Sequence, residues 1–155
     1  MSFDFEKISD DLTNNIYPLI GSGSGRQVYD LKHGYALKVA MNRKGIAQNM
    51  VEKQIASSDP PMIFAKVFAA SEDNKYLVME KAERISTMSV VWNYFKVRNS
   101  RELFHMDLFK DLPAQYGLLY VDLNRPSNWG MVKDKPVIVD YGFTRDVKRK
   151  FYSLF

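Results

Sequence analysis

The chain has 155 residues, of which 46% are hydrophobic and 26% are charged, and its formal net charge is +4. This composition is typical of a single globular domain and excludes an intrinsically disordered chain. The absence of cysteine excludes a disulfide framework, a thiolate metal site and a cysteine nucleophile. No apolar run approaches the ~20 residues that cross a bilayer, and the first residues lack the basic-then-apolar plan of a signal peptide. We therefore expect a cytoplasmic protein that does not enter a membrane.

The first half of the chain predicts five β-strands and one helix. Residues 17–41 contain three short β-rich runs, separated by a glycine cluster and by a His-Gly pair, which is typical of antiparallel strands. Residues 43–57 predict a helix, and residues 62–70 and 75–80 predict two further strands. The helix would bury a broad apolar face formed by Ile46, Met50, Val51 and Ile55.

The second half changes to helical spacing. Met88, Val91 and Phe95 predict one helix, and Phe104, Leu108 and Leu112 predict a second. The second helix would begin after Asn99, with Glu102 three residues further on, which is a capping-box pattern. Residues 131–140 predict a hairpin whose turn is 133–135. The fold class predicted from these elements is α+β, with a five-stranded antiparallel N-terminal lobe and a mostly helical C-terminal lobe.

Three glycines, Gly21, Gly23 and Gly25, lie between the first two predicted strands. Glycines at such a turn allow the backbone to approach a phosphate closely, because no Cβ intervenes. The same cluster is also typical of an ordinary tight turn. It is not a Walker A loop, since the Lys-Ser/Thr pair and the following helix are absent.

Lys38 lies in the middle of the third predicted strand, with apolar residues on both sides. A lysine placed there would bury its aliphatic stem, and its ammonium group would need an anionic partner. The following helix offers Glu52. A solvated lysine on an edge strand is the alternative interpretation.

Asp140 follows three β-branched apolar residues and precedes an aromatic residue and a glycine, in the run VIVDYGF. An aspartate at a strand end that is followed closely by glycine is common in turns, and this is one interpretation of the run.

Taken in order, these motifs resemble the protein-kinase-like fold over about residues 17–144. The resemblance depends on the glycine-rich hairpin, the strand lysine, the helix glutamate, and the runs YLVMEKA, DLNRPSN and VIVDYGF. On VYDL, LKVA and RPSNWG the chain also resembles compact, truncated kinase-like proteins of bacteria and bacteriophages. The predicted organisation is one kinase-like domain over 1–155, with an N-lobe at 1–80, a hinge at 81–85 and a minimal C-lobe at 86–155.

The resemblance implies binding of ATP and Mg²⁺. The glycine-rich loop would cover the phosphates, Lys38 oriented by Glu52 would hold them, and Asp122 would act as the catalytic aspartate. The metal ligands would be Asn128 and Asp140. The remaining nucleotide-binding residues implied by the resemblance are Gly21, Gly23, Gly25, Val28, Met79, Glu80 and Ala82.

Two departures from the kinase pattern leave alternatives open. The third glycine falls one place early, and Arg26 occupies its usual position. Asp122 and Asn128 are separated by six positions instead of the usual five. Either the loop carries one extra residue and Asp122 is catalytic, or the catalytic position falls on Leu123, which cannot accept a proton.

The resemblance favours an ATP- and Mg²⁺-dependent phosphotransferase. Only 155 − 140 = 15 residues follow Asp140, so we expect that the usual platform for a peptide substrate is lacking. The alternative is a pseudokinase-like interaction protein that inhibits or remodels a partner protein. If such a protein is phage-encoded, it would act in the host cytoplasm on a host or defence protein. Nucleic-acid binding is disfavoured, since only the basic run TRDVKRKFY suggests it and no aromatic-basic alternation or known binding motif is present.

Overall fold

The computed structural model describes residues 2–152, which form two compact units. The first unit comprises the residues up to Ser58 together with Lys66–Lys81, and the second comprises Asp59–Ala65 and the residues from Ala82 onward. The change of unit after Lys81 falls inside the hinge predicted at 81–85. Residues 1 and 153–155 lie outside the described residues.

The first unit contains a five-stranded antiparallel sheet in the strand order β1-β2-β3-β5-β4. The predicted sheet and the helix at 43–57 are confirmed, and the mixed α+β architecture is consistent with a compact kinase-like fold. Two details differ: the fourth strand is shorter than predicted, and a helix precedes the sheet. The elements are α1 (Phe5–Thr13), β1 (Leu19–Ser22), β2 (Arg26–Lys32), β3 (Tyr35–Ala40), α2 (Arg43–Ser57), β4 (Val67–Ala70) and β5 (Tyr76–Glu80).

The two faces of this sheet have different surroundings. One face forms an apolar cluster with Ile8 of α1, and its buried strand residues are Leu37, Val39, Tyr76 and Val78. Since side chains alternate along a strand, Lys38 projects from the opposite face. That face is covered by α2, which contacts β3, β4 and β5.

Helix α2 buries a polar face, and the apolar face predicted for it is wrong. Ile55 is buried as expected, but Met50 is exposed, and Ile46 and Val51 are only partly buried. The physical reason is that α2 packs on a charged cluster and on the backbone of the glycine-rich hairpin. The buried residues of the helix are Gly45, Gln48, Asn49, Glu52 and Ile55.

The second unit is mostly helical and carries a small antiparallel sheet in the order β6-β7-β8. The predicted hairpin is confirmed, and its turn residues Lys133 and Asp134 both adopt positive φ, 49° and 65°, as a two-residue hairpin turn requires. The elements are β6 (Glu83–Arg84), α3 (Ser89–Phe95), α4 (Ser100–His105), α5 (Asp107–Lys110), α6 (Leu112–Tyr116), α7 (Tyr120–Leu123), a 3₁₀ turn (Pro126–Asn128), β7 (Trp129–Val132), β8 (Lys135–Ile138) and α8 (Arg145–Tyr152).

The long helix predicted from Phe104, Leu108 and Leu112 is divided into three short helices. Its start is confirmed, because the Asn99 side chain accepts a hydrogen bond from the backbone N–H of Glu102. The division occurs at Met106, where the backbone is extended. The register of buried residues therefore shifts, so that Leu108 is exposed while the neighbouring phenylalanine, Phe109, is fully buried.

Segment 59–65 packs with the second unit, although it was predicted to contribute to a strand of the first. Phe64 forms a parallel bridge with Ile138, and the Ile138 N–H donates to the carbonyl of Ile63 at 2.7 Å. Apolar packing fixes the segment further, since the Phe64 ring lies 4.7 Å from that of Tyr141. Across residues 2–152, none of the helices combines the length and the apolar character needed to cross a membrane.

Candidate functional site

Lys38 and Glu52 form a buried ion pair in the first unit, as the sequence predicts. The Lys38 ammonium donates to both carboxylate oxygens of Glu52, at 2.8 and 3.1 Å. Strand β3 fixes the lysine opposite Val28 of β2 and Leu77 of β5, and α2 supplies the glutamate. The lysine residue is 6% exposed and the glutamate 0%, so the alternative of a solvated edge-strand lysine is wrong.

Glu52 also binds a second cation, Arg26. The Arg26 guanidinium donates to both Glu52 oxygens, at 2.6 and 3.1 Å, and to Oδ1 of Asn49 at 3.0 Å. Burial alone would raise the pKa of Glu52, but the charges of Arg26 and Lys38 outweigh that effect and lower the pKa to about 2. The carboxylate is therefore ionised at every physiological pH, and it binds two cations at once.

The glycine-rich hairpin is anchored to the start of α2. Gly25 lies so close to the helix that a Cβ added at Gly45 would be 2.0 Å from the Gly25 carbonyl oxygen. Asn42, the N-cap of α2, accepts from the Gly45 N–H and donates to the Ser24 carbonyl at 2.9 Å. The Ser24 hydroxyl also accepts from the Lys44 ammonium. Gly25 thus has a packing role in addition to any contact with phosphate.

The other two predicted loop glycines lie nearer the strands. Gly21 pairs with Val28 across β1 and β2, and the Gly23 N–H donates to the Arg26 carbonyl at 2.8 Å. Their backbone therefore belongs to a closed hairpin turn. Because Gly21, Val28 and Lys38 follow one another across paired strands, they share one face of the sheet.

The residues predicted to contact adenine are distributed over both units. Met79 is 2% exposed and pairs with Ala36, while the Glu80 N–H donates to the Lys66 carbonyl at 2.8 Å. Ala82 belongs to the second unit, where a Cβ added at Gly130 would lie 2.6 Å from the Ala82 Cβ. Only glycine permits that approach of β7 to Ala82, which lies within the predicted hinge.

Asp122, Asn128 and Asp140 come together in the second unit. The Asn128 side-chain amide donates to the Asp122 carbonyl at 2.7 Å, and the Asn128 carbonyl accepts from the Val139 N–H at 2.8 Å. These two hydrogen bonds connect Asn128 to the backbone of Asp122 and to that of Val139, the residue immediately before Asp140. The charge of Asp140 also acts on the carboxyl of Asp122.

Asp122 is a poorly satisfied carboxylate. Its Oδ2 is buried and has no hydrogen-bond partner among the described residues, and its Oδ1 lies 3.9 Å from the Arg125 guanidinium. Burial raises the pKa of Asp122; the charge of Asp140 raises it further, whereas Arg125 and Lys148 oppose the shift. Such a carboxyl binds a proton more readily than an ordinary aspartate does.

The extra residue of the loop is accommodated by a helical turn, α7, followed by the 3₁₀ turn. Leu123 is 2% exposed and belongs to the core, and its carbonyl accepts from the Trp129 indole at 2.7 Å. The Leu123 side chain therefore has a packing role, whereas the Asp122 side chain keeps 19% of its surface exposed. This geometry favours the extra-residue interpretation over the alignment that places Leu123 at the catalytic position.

The residue after Asp140, Tyr141, is buried and hydrogen-bonded, and it fixes the position of this segment. Tyr141 is 1% exposed, and its hydroxyl donates to the Ala65 carbonyl at 2.8 Å. The hydroxyl explains why tyrosine is accommodated in the aromatic position of the VIVDYGF run. This hydrogen bond fixes the backbone that carries Asp140.

The chemistry of the donor set fits magnesium. Within residues 2–152, no three His, Cys, Asp or Glu side chains gather into a metal-binding group. Mg²⁺ is usually held by one or two carboxylates, with water and substrate phosphates completing the octahedron. Because the amide nitrogen of Asn128 is engaged by Asp122, its amide oxygen is the ligating atom that would act with Asp140.

Arg26 and Asn49 are the residues that sequence reasoning missed. Arg26 was noted only because it occupies the position of a glycine. A signal was present in strand parity, since Arg26, Val28 and Lys38 lie on one face of β2 and β3. Asn49 lies three residues before Glu52 on α2 and so shares its face. This polar spacing was overlooked because the apolar residues of the helix were used to predict its buried face.

Comparison with known proteins gives a structural likeness but no sequence match. No family model and no curated protein sequence matches the chain. Among solved structures, the chain is similar to one described as the streptomycin-ATP-APH(2")-IIa ternary complex, with 15% sequence identity and a TM-score of 0.48. The likeness covers 92% of this chain and 72% of the other. A likeness at this level carries no argument about function.

Proposed function

We propose that this protein is a kinase-like phosphotransferase that uses ATP and Mg²⁺. The observation that carries the proposal is the buried Lys38–Glu52 pair beside a glycine-rich hairpin. A buried lysine held by a helix glutamate is the arrangement with which kinases bind the α- and β-phosphates. Phosphoryl transfer depends mainly on positioning and charge neutralisation, so a small set of fixed polar groups is sufficient.

The first unit would bind the nucleotide. Lys38 would bind the phosphates, and the backbone of Gly21, Gly23 and Gly25 would lie against them. Val28, which is paired directly with Lys38, would contact the adenine together with Met79. The backbone of Glu80 and of Ala82 would hydrogen-bond the base.

The second unit would supply the metal ligands and the catalytic carboxylate. Asn128 and Asp140 would hold Mg²⁺, which neutralises charge on the phosphates when it is bound. Asp122 would accept the proton of the acceptor hydroxyl, whose oxygen gains the γ-phosphoryl group as the bond to the β–γ bridging oxygen breaks and ADP leaves. The raised pKa of Asp122 and the 19% of its side chain that stays exposed support this role, because a proton acceptor must be both basic and accessible.

Incubation with γ-labelled ATP, Mg²⁺ and cell extract tests the proposal. We expect labelled product with the wild type and with Asp134→Asn, a control at an exposed hairpin turn. Asp140→Asn should reduce transfer to background, and Asp122→Asn should lower the rate by roughly 10²–10⁴-fold. Transfer that is equal in the wild type and in Asp140→Asn would contradict the proposal.

A second candidate is the pseudokinase-like interaction protein, in which the fold binds a partner and transfers nothing. The observation that favours it is the exposed apolar surface next to Asp122, where Val121 is 63% exposed and Tyr120 is 39% exposed. Binding of Mg-ATP without any transfer above the Asp140→Asn level would favour this candidate. Transfer that requires Asp140 and Asp122 would exclude it.

A further inference from the structure

The strongest unexplained feature of the first unit is a charged side chain in its interior, Arg26. The Arg26 residue is 6% exposed, and its guanidinium donates one hydrogen bond to each oxygen of Glu52, which also binds Lys38. A bidentate guanidinium–carboxylate pair fixes direction as well as distance, which a lysine ammonium does not. The two hydrogen bonds from Arg26 therefore orient the Glu52 carboxylate without the participation of Lys38.

Arg26 also lies at the base of the glycine-rich hairpin. Its carbonyl accepts from the Gly23 N–H at 2.8 Å, and the carbonyl of the preceding residue, Gly25, accepts from the Met41 N–H at 2.8 Å. The hairpin backbone and the Glu52 carboxylate are thus connected through one residue. A shift of α2 away from the sheet would break the Arg26 pair and disturb the hairpin together.

Asn49 extends this connection to the turn between β4 and β5. Its Oδ1 accepts from Arg26, while its Nδ2 donates to the carbonyls of Asn74 and Lys75 at 2.8 and 3.3 Å. The side chain is 0% exposed, so these bonds form out of contact with water. Through Asn49, helix α2 is consequently hydrogen-bonded both to Arg26 of β2 and to the β4–β5 turn.

We infer that Arg26 is a positioning residue, which holds Glu52, and through it Lys38, in the phosphate-binding arrangement before any ligand is present. The inference rests on the proposed function for the role of Lys38. In a kinase whose helix glutamate can move, pairing with the lysine is a controlled step. In this protein, the second cation makes the pair a permanent feature, so that movement of α2 is not available as a switch.

Three forms of the protein separate a positioning role from a general loss of packing. Arg26→Met removes the charge and both hydrogen bonds to Glu52, Arg26→Lys keeps a charge without the bidentate geometry, and Arg43→Met, which removes an exposed arginine of α2, is the control. Arg26→Lys also keeps the test decisive if Arg26→Met does not fold.

The first readouts need no nucleotide. Amide hydrogen exchange over residues 22–26 and 43–52 should be at least tenfold faster in Arg26→Met, intermediate in Arg26→Lys and unchanged in Arg43→Met. A pH titration of the Glu52 carboxyl carbon by NMR should show its pKa rising from about 2 in both Arg26 variants only. If amide exchange in Arg26→Lys is as slow as in the wild type and the pKa of Glu52 is unchanged in that variant, the inference is overturned.

The last readout is the affinity for Mg-ATP. Arg26→Met should weaken Kd by tenfold or more, with partial recovery in Arg26→Lys. If the wild type does not bind Mg-ATP, the proposed function fails, whereas the exchange and titration data still decide whether Arg26 positions Glu52. If the wild type binds and both Arg26 variants bind equally well, Arg26 has no positioning role for the phosphate site.

Discussion

The two units hold carboxylates of opposite character, the fully buried Glu52 in the first and the partly buried Asp122 in the second. Glu52 receives hydrogen bonds from two cations, and its pKa is lowered to about 2. Asp122 has one buried oxygen without a hydrogen-bond donor among the described residues, and burial raises its pKa. A satisfied carboxylate fixes its neighbours, whereas an unsatisfied one retains capacity for a ligand. We therefore assign a positioning role to Glu52 and a chemical role to Asp122.

The largest effect that this contrast implies is on stability. Glu52→Gln should cost about 3–5 kcal/mol of unfolding free energy, because it leaves Arg26 and Lys38 buried without their shared anion. Urea unfolding gives the measurement, and Glu72→Gln, at an exposed position, is the control that should stay within about 0.5 kcal/mol of the wild type. If the urea midpoint of Glu52→Gln equals that of the control, the stabilising role that distinguishes Glu52 from Asp122 is contradicted.

The next effect is on acid stability. The folded-state pKa of Glu52, about 2, lies below its ordinary value of 4.5. The stabilisation is therefore fully present above pH ~4.5 and is lost as the pH falls towards 2, and it amounts to roughly 3 kcal/mol. Unfolding free energies at pH 5 and pH 3 should show a decline in the wild type that is absent from Glu52→Gln. Parallel declines in the two proteins would contradict the pairing.

The smallest effect concerns Asp122, where the sign reverses. A folded-state pKa above the ordinary value means that the ionised carboxyl opposes folding at neutral pH. Asp122→Asn should therefore leave stability unchanged or raise it by up to about 1 kcal/mol, although it abolishes the proposed proton acceptor. Thermal unfolding of Asp122→Asn measures this change in stability, and Asp134→Asn is the control. A loss of more than about 1 kcal/mol in Asp122→Asn alone would mean that Asp122 is a structural residue.

In both units, the features that depend on local signals are the ones that sequence could predict. Helix α2, the β2–β3 hairpin and the Asn99 cap depend on local signals, namely capping side chains, strand alternation and turn residues, and they were predicted correctly. Helix α1 was missed, although Phe5, Ile8 and Leu12 repeat at helical spacing and Ile8 fills the sheet core.

Features that depend on tertiary contacts were the ones predicted wrongly or not at all. The buried face of α2 is polar because Glu52 and Asn49 meet Arg26, which is more than twenty residues away, and periodicity reports only apolar stripes. The break at Met106 follows from the need to bury Phe109 against the rings of Phe95 and Trp129. Neither partner can be identified from the local run of residues.

The most direct test of the central claim is a thermal melt with and without Mg-ATP. At about one hundred times its Kd, a ligand adds ~2.7 kcal/mol, which should raise the midpoint of a chain of this size by several degrees. We expect that rise in the wild type and in Lys53→Met, an exposed lysine of α2, and its loss in Lys38→Met. A wild-type midpoint that does not move would contradict nucleotide binding and, with it, the proposed phosphotransferase.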